Sequence, residues 1–187
     1  MSDSQQGRLV RELEGADVRQ EWGTVRENAV RLDPEDAERV VEALNAVHAG
    51  AFNLFYLSRK HYWTAEGAEA EEVADFLKGV YERLRTTNDD VAERINELGG
   101  VPASTPPDIQ EYATVHLEAE HLYSLRASLE GDLEAHATLA ACVRDAIEVA
   151  DDVGDEATRE LLQERLEELE EDASTIEDFL EDDTLVR

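Results

Sequence analysis

Asp89 and Glu93, in the stretch "NDDVAERINELGG", stand one helical turn apart. Two carboxylates at i and i+4 share one face of a helix, and oxygen donors so placed suit hard cations. The same face carries Lys78, Glu82, Arg85 and Asn96, opposite the apolar Val91. That company also fits a solvated surface laced with intrahelical ion pairs, with Lys78 or Arg85 as partner to the acids. Upstream, "KHYW" places His61 and Tyr62 beside Trp63. Adjacent helical residues point about 100° apart, so His61 and Tyr62 cannot serve the same position, and His61 reads as a surface or interface histidine or else a displaced ligand. "HLEAEHLY" offers His116 with Glu120, and Glu118 close to His121. Their spacing permits metal binding on a helix, but in so acidic a chain a solvated helix start explains it too. His48 and His136 fall on apolar stripes, where a hydrogen-bonded core histidine is the ordinary reading and a paired metal site the lesser one.

The elements that must position these residues are all helical. "LDPEDAERVVEALN" opens a helix with Asp33 as N-cap, Pro34 at the first helical position and acids in the first turn. Its stripe runs Ala37, Val40, Val41, Leu44, Val47, Ala51, Phe55, and from "AFNLFYL" onward it is apolar nearly all round, which calls for cover on more than one side and suggests a subunit contact. A second helix is expected over 69–98, with Val73, Leu77, Val80, Leu84, Val91, Ile95 and Leu98 inward. "GGVPASTPPD" ends it. A third is expected over 115–151, with Leu122, Leu125, Leu129, Leu133, Val143 and Ile147 inward, and a fourth over 155–182, with Leu162, Leu166, Leu169, Ala173, Ile176 and Leu180 inward. No strand pattern appears. The fold class is therefore all-α: a four-helix bundle over 33–187 with its longest connection between helices two and three, preceded by an N-terminal arm over 1–32 in which Leu9, Val10, Leu13, Val18, Trp22 and Val25 alternate with charges.

Charge bounds the partners. The 187 residues include 17 basic and 46 acidic ones, a formal net charge of −29, and only Lys60 and Lys78 are lysines. The acids are spread over every segment, so the whole surface is acidic. Such a chain repels itself in dilute salt, and molar salt shortens the screening length to about 3 Å. The composition reads as adaptation to a salt-rich cytoplasm. It disfavours DNA binding, which needs Lys and Arg on phosphates. No apolar stretch of spanning length or signal-like N-terminus is present, and the single Cys142 precludes an internal disulfide framework, so the expected location is cytoplasmic.

"HYWTAEGAEAEEVADFL…DDVAERINELGGVPAS" resembles the Dps family, the mini-ferritins of the ferritin-like superfamily. The residues that carry the likeness are Trp63 and Gly67, Asp89 and Glu93, and Leu98-Gly99-Gly100-Val101; "IEDFLEDDTLV" resembles the haloarchaeal branch. The likeness covers about residues 33 to 186. It implies a ferritin-like bundle with a long crossover, assembled as a hollow dodecamer that oxidises ferrous iron and stores the ferric mineral. It also implies a ferroxidase site at a two-fold interface, where two histidines of one subunit meet an Asp and a Glu of its neighbour. Asp89 and Glu93 match the acids. Tyr62 and Ala74 stand where the histidines would be, and Lys78 where an acid is frequent. A phenol binds ferric iron as phenolate and offers ferrous iron no neutral nitrogen. The expectation is an iron-binding cage subunit whose metal candidates are Asp89, Glu93, Tyr62 and His61, with iron held weakly at the interface and oxidation weak or absent. The rival is a non-enzymatic shell of the same fold. Other ferritins use Glu-x-x-His inside the bundle; "EEDASTIEDF" has Ser174 and Thr175 just before Ile176, and no such motif. Trp63 reads as interface packing.

Overall fold

In a computed structural model of the chain, residue 10 and residues 13–181 are described. Leu9, Asp182 at the expected end of the fourth helix, and the "DDTLV" part of the C-terminal likeness lie outside them. The elements are α1 (Pro34–Thr64), α2 (Ala70–Glu97), a short α3 (Pro106–Tyr112), α4 (Leu125–Asp152) and α5 (Glu156–Glu181), with no strand among the described residues. Short connections make α1/α2 and α4/α5 antiparallel pairs, and the long crossover carrying α3 joins them.

Local chemistry sets the helix ends. The Asp33 carboxylate accepts from the Glu35 amide at 3.0 Å, with Pro34 in the first turn. Thr105 caps α3 ahead of Pro106 and Pro107, and Ser124 caps α4 by accepting from the Ala127 amide at 3.3 Å. Asp155 takes the amide of Thr158 at 3.2 Å at the start of α5.

The stripes of α1, α2, α4 and α5 meet in a main core that includes Leu44, Val47, Leu54, Val80, Val91, Ile95, Leu139, Val143 and Leu162. A second cluster, Val73, Leu77, Leu129 and Ile176, closes one end of the bundle. Along α4, Asp132 and His136 lie between Leu129 of one cluster and Leu139 of the other; along α5, Asp172 lies between Leu169 and Ile176. A buried polar layer therefore interrupts the core.

The third helix starts ten residues later than its apolar period suggests. Residues 113–124 are not helical, and Leu122, expected inward, is 75% exposed. The crossover is held by side chains of α1: Asn53 donates to the Val115 carbonyl at 2.6 Å, and Lys60 donates to Glu118 at 2.5 Å and to the Ala119 carbonyl at 3.2 Å. These tertiary bonds and the Ser124 cap prevail over local periodicity.

The arm is irregular over 13–33 and is not an amphipathic helix. It is strapped to the end of α2: the Arg26 amide donates to the Gly99 carbonyl at 3.0 Å and Gln20 donates to the same carbonyl at 2.8 Å. Gly99 has φ +86°, and a Cβ there would stand 2.2 Å from the Arg26 carbonyl oxygen. Gly99→Ala is thus expected to release the arm and to cost about 1–3 kcal/mol, measured as a drop in thermal stability and faster proteolysis before residue 33.

Candidate metal site and the polar layer

Asp89 and Glu93 lie exposed on the outer face of α2, as their spacing requires, together with exposed Lys78, Glu82, Arg85 and Asn96. Among the described residues no ion pair joins Asp89, Glu93, Lys78 or Arg85 to anything; the expected intrahelical pairs do not form. Within one subunit the two carboxylates are therefore uncompensated, which favours a cation or a neighbouring chain as partner.

Tyr62 is half-buried near the end of α1. Its ring stands 5.5 Å from that of Tyr81 on α2 and packs against the second apolar cluster. Ala74 is half-buried on α2. Trp63 is 64% exposed, with the Arg59 guanidinium 4.7 Å from its ring centre, and Tyr56 is exposed on the same helix. An aromatic face left open in the single chain agrees with a helix that needs further cover. Within the subunit, Tyr62 does not meet Asp89 or Glu93 in any hydrogen bond, and among the described residues no three His, Cys, Asp or Glu side chains converge as a metal site.

His61 is neither on the surface nor at the open face. It is 2% exposed, with Nδ1 2.8 Å from Asp132 Oδ2 and Nε2 2.9 Å from Glu118 Oε1. The reason is helical phase: the inward face continues through Leu54, Leu57 and Ser58 to His61, and not through Phe55, which is only half-buried. Both ring nitrogens face carboxylate oxygens, and only the doubly protonated imidazolium can donate to both. Burial alone would lower the His61 pKa, but the hydrogen bonds and charges of Asp132 and Glu118 outweigh it and raise it. Glu118 moves the opposite way: burial pushes it up, while Lys60 and His61 pull it below its ordinary value. His61 thus spends both ring nitrogens on carboxylates of its own subunit.

His136 and His48 are core histidines. His136 Nδ1 lies 2.7 Å from the Asp132 carbonyl and His48 Nε2 lies 3.0 Å from the Ala103 carbonyl. Burial lowers the His48 pKa. Across the bundle, Arg83 of α2 chelates Asp172 of α5, whose pKa burial raises in spite of that guanidinium. Arg94 bridges to Asp155 and Thr158, both at 2.8 Å. His116, Glu120 and His121 are exposed on a non-helical segment, so the i,i+4 pairing read from "HLEAEHLY" is not formed; Glu118 serves Lys60 and His61 instead. Asp132 has no motif to mark it in the sequence; its signal is its place between Leu129 and His136 on the inward face of α4.

A model of the ferritin-like domain matches residues 41–186. The DNA protection during starvation protein of Halobacterium salinarum is 40% identical, over 85% of this chain and 87% of its own length. The chain belongs to the Dps family. Two solved structures agree with this Dps assignment. An archaeal Dps homologue from Halobacterium salinarum superposes with TM-score 0.87 and 40% identity, over 92% of this chain and 97% of that one. DpsC from Streptomyces coelicolor gives 0.86 and 30%, over 91% and 100%. The all-α, ferritin-like class and the long crossover expected from the sequence are those of this Dps chain. No helix among its described residues is long and apolar enough to cross a membrane.

Proposed function

We propose that this Dps chain is the subunit of a hollow, homo-oligomeric cage, a dodecamer, that binds and stores iron in a salt-rich cytoplasm, with a degenerate ferroxidase site between subunits. The observation that carries the proposal is the exposed, uncompensated Asp89–Glu93 pair in a chain with Tyr62 and Ala74 at the histidine positions. Carboxylates bind hard cations without help from nitrogen, so acid clusters would still collect iron and seed mineral. Ferrous iron, which favours imidazole, would be held poorly at the interface, and its oxidation there would be slow. The net charge of −29 argues against direct contact with DNA.

A second reading is a non-enzymatic shell. It is favoured by Lys78, exposed on the same outer face as Asp89, where a cation of the protein would stand in for a metal.

Iron loading of the purified assembly in molar KCl, with dioxygen or peroxide, tests the proposal. Iron is expected to co-elute with the protein while oxidation stays slow and does not saturate. A fast, saturable oxidation that vanishes in the Asp89→Asn, Glu93→Gln double variant would contradict the degenerate site. Absence of co-eluting iron would leave only the shell.

A further inference from the structure

A cleft of about 240 Å³ lies between the arm and the first turns of α1, remote in sequence from the acid pair. Three separate segments build it. The arm contributes Trp22 and Val25, α1 contributes Glu38 and Glu42, and the crossover contributes Val101 and Tyr112. Trp22 and Tyr112 stand at 82° with ring centres 5.9 Å apart and form an aromatic corner. Glu38 and Glu42 are one turn apart and exposed, and among the described residues neither pairs with a cation.

The corner is fixed before any ligand arrives. The turn that carries Trp22 is tied down on both sides. Gln20 donates to the Thr24 carbonyl at 2.9 Å and the Gly99 carbonyl at 2.8 Å, and the Arg26 amide donates to the Gly99 carbonyl at 3.0 Å. Asn45, 5% exposed, makes the floor, its side-chain oxygen accepting from the Ala103 amide at 2.9 Å. A preorganised wall spares the ordering cost of binding.

We propose that this cleft binds a small organic cation of the quaternary-ammonium class. Aromatic faces attract a weakly hydrated cation placed against them, and the two carboxylates supply the charge. Inorganic cations keep their water and gain little from the rings. The volume accommodates a trimethylammonium group. In molar salt the screening length of about 3 Å is shorter than these contacts, so the exposed carboxylates contribute less there, while the close contact with the aromatic faces is retained. A zwitterion with a nearby carboxylate is disfavoured by Glu38 and Glu42.

The test uses the full, assembled protein carrying Trp63→Phe, so that Trp22 is the remaining tryptophan. Choline and tetramethylammonium chloride are titrated in molar KCl, with 3,3-dimethylbutan-1-ol as the uncharged analogue of choline. The expected result is a saturable change in Trp22 emission with both cations and none with the alcohol. Tyr112→Leu should weaken binding roughly fivefold or more. The Glu38→Gln, Glu42→Gln pair, on the exposed helix face where folding is not at stake, should weaken it as well. No saturable change, an equal response to the alcohol, or affinity untouched by the glutamine pair would overturn the proposal.

Discussion

Asp132→Ala is expected to destabilise the subunit by about 3–5 kcal/mol, because it removes one partner of a buried ion pair and leaves the other without compensation. Asp132 is fully buried and His61 is 2% exposed, so water cannot take over the lost contact. The effect extends beyond the pair. Glu118 depends on His61 and Lys60, and it tethers the non-helical end of the crossover, residues 113–124, to α1. Denaturant unfolding should show the full loss, and hydrogen exchange should show residues 113–124 opening first. The sign of the pH dependence follows from the raised His61 pKa. A base whose folded value lies above its unfolded value of about 6.5 contributes stability that is fully present below 6.5 and is lost as pH rises through the folded value. Wild-type protein should therefore lose stability as pH rises above about 6.5. In His61→Gln, whose amide donates without titrating, that limb should flatten; an unchanged limb would show that the imidazolium is not its source.

The second large effect concerns iron. Placing imidazoles back, with Tyr62→His and Ala74→His together, should raise the rate of ferrous oxidation by about tenfold or more. Partners that merely orient a metal ligand are already worth about 10–100-fold in affinity or activity, so two restored ligands should give at least the lower figure. Both positions are half-buried, and each new side chain lies near the end of its helix, away from the main core. Stopped-flow absorbance at fixed iron and salt is the readout. The gain should disappear when Asp89→Asn and Glu93→Gln are added. Tyr62→His alone should give a smaller gain. A double variant no faster than wild type would mean that the carboxylates and the restored histidines do not meet across an interface.

Much of this was legible in the residues, for physical reasons that also explain what was not. Asp33-Pro34 with acids behind it marks a helix start wherever it occurs, and α1 begins there. The stripe of α2 keeps one phase from end to end, so both its extent and its outward face, including Asp89 and Glu93, could be read. Phase was lost in "AFNLFYL", where apolar residues surround the helix. That is why His61 reads as a surface residue yet turns inward. The start of α4 was hidden because Leu122 and Leu125 fit a helical period that the Lys60–Glu118 and Asn53–Val115 contacts prevent from forming. Asp132 was invisible for a third reason. In a chain with 46 acidic residues, one more carboxylate carries no compositional signal, and only its buried neighbours on α4 set it apart. The replacements at Tyr62, Ala74 and Lys78, by contrast, needed the family likeness, since nothing in their local pattern says what they replace.

Anomalous scattering at the iron edge, from crystals of the assembled wild-type protein soaked anaerobically in ferrous salt, tests the nitrogen-poor site most directly. Weak or no iron signal is expected beside Tyr62 of one subunit and Asp89 and Glu93 of the next, with any stronger peaks lying on carboxylate clusters elsewhere. Two fully occupied iron ions bridged by Asp89 and Glu93 would contradict that expectation.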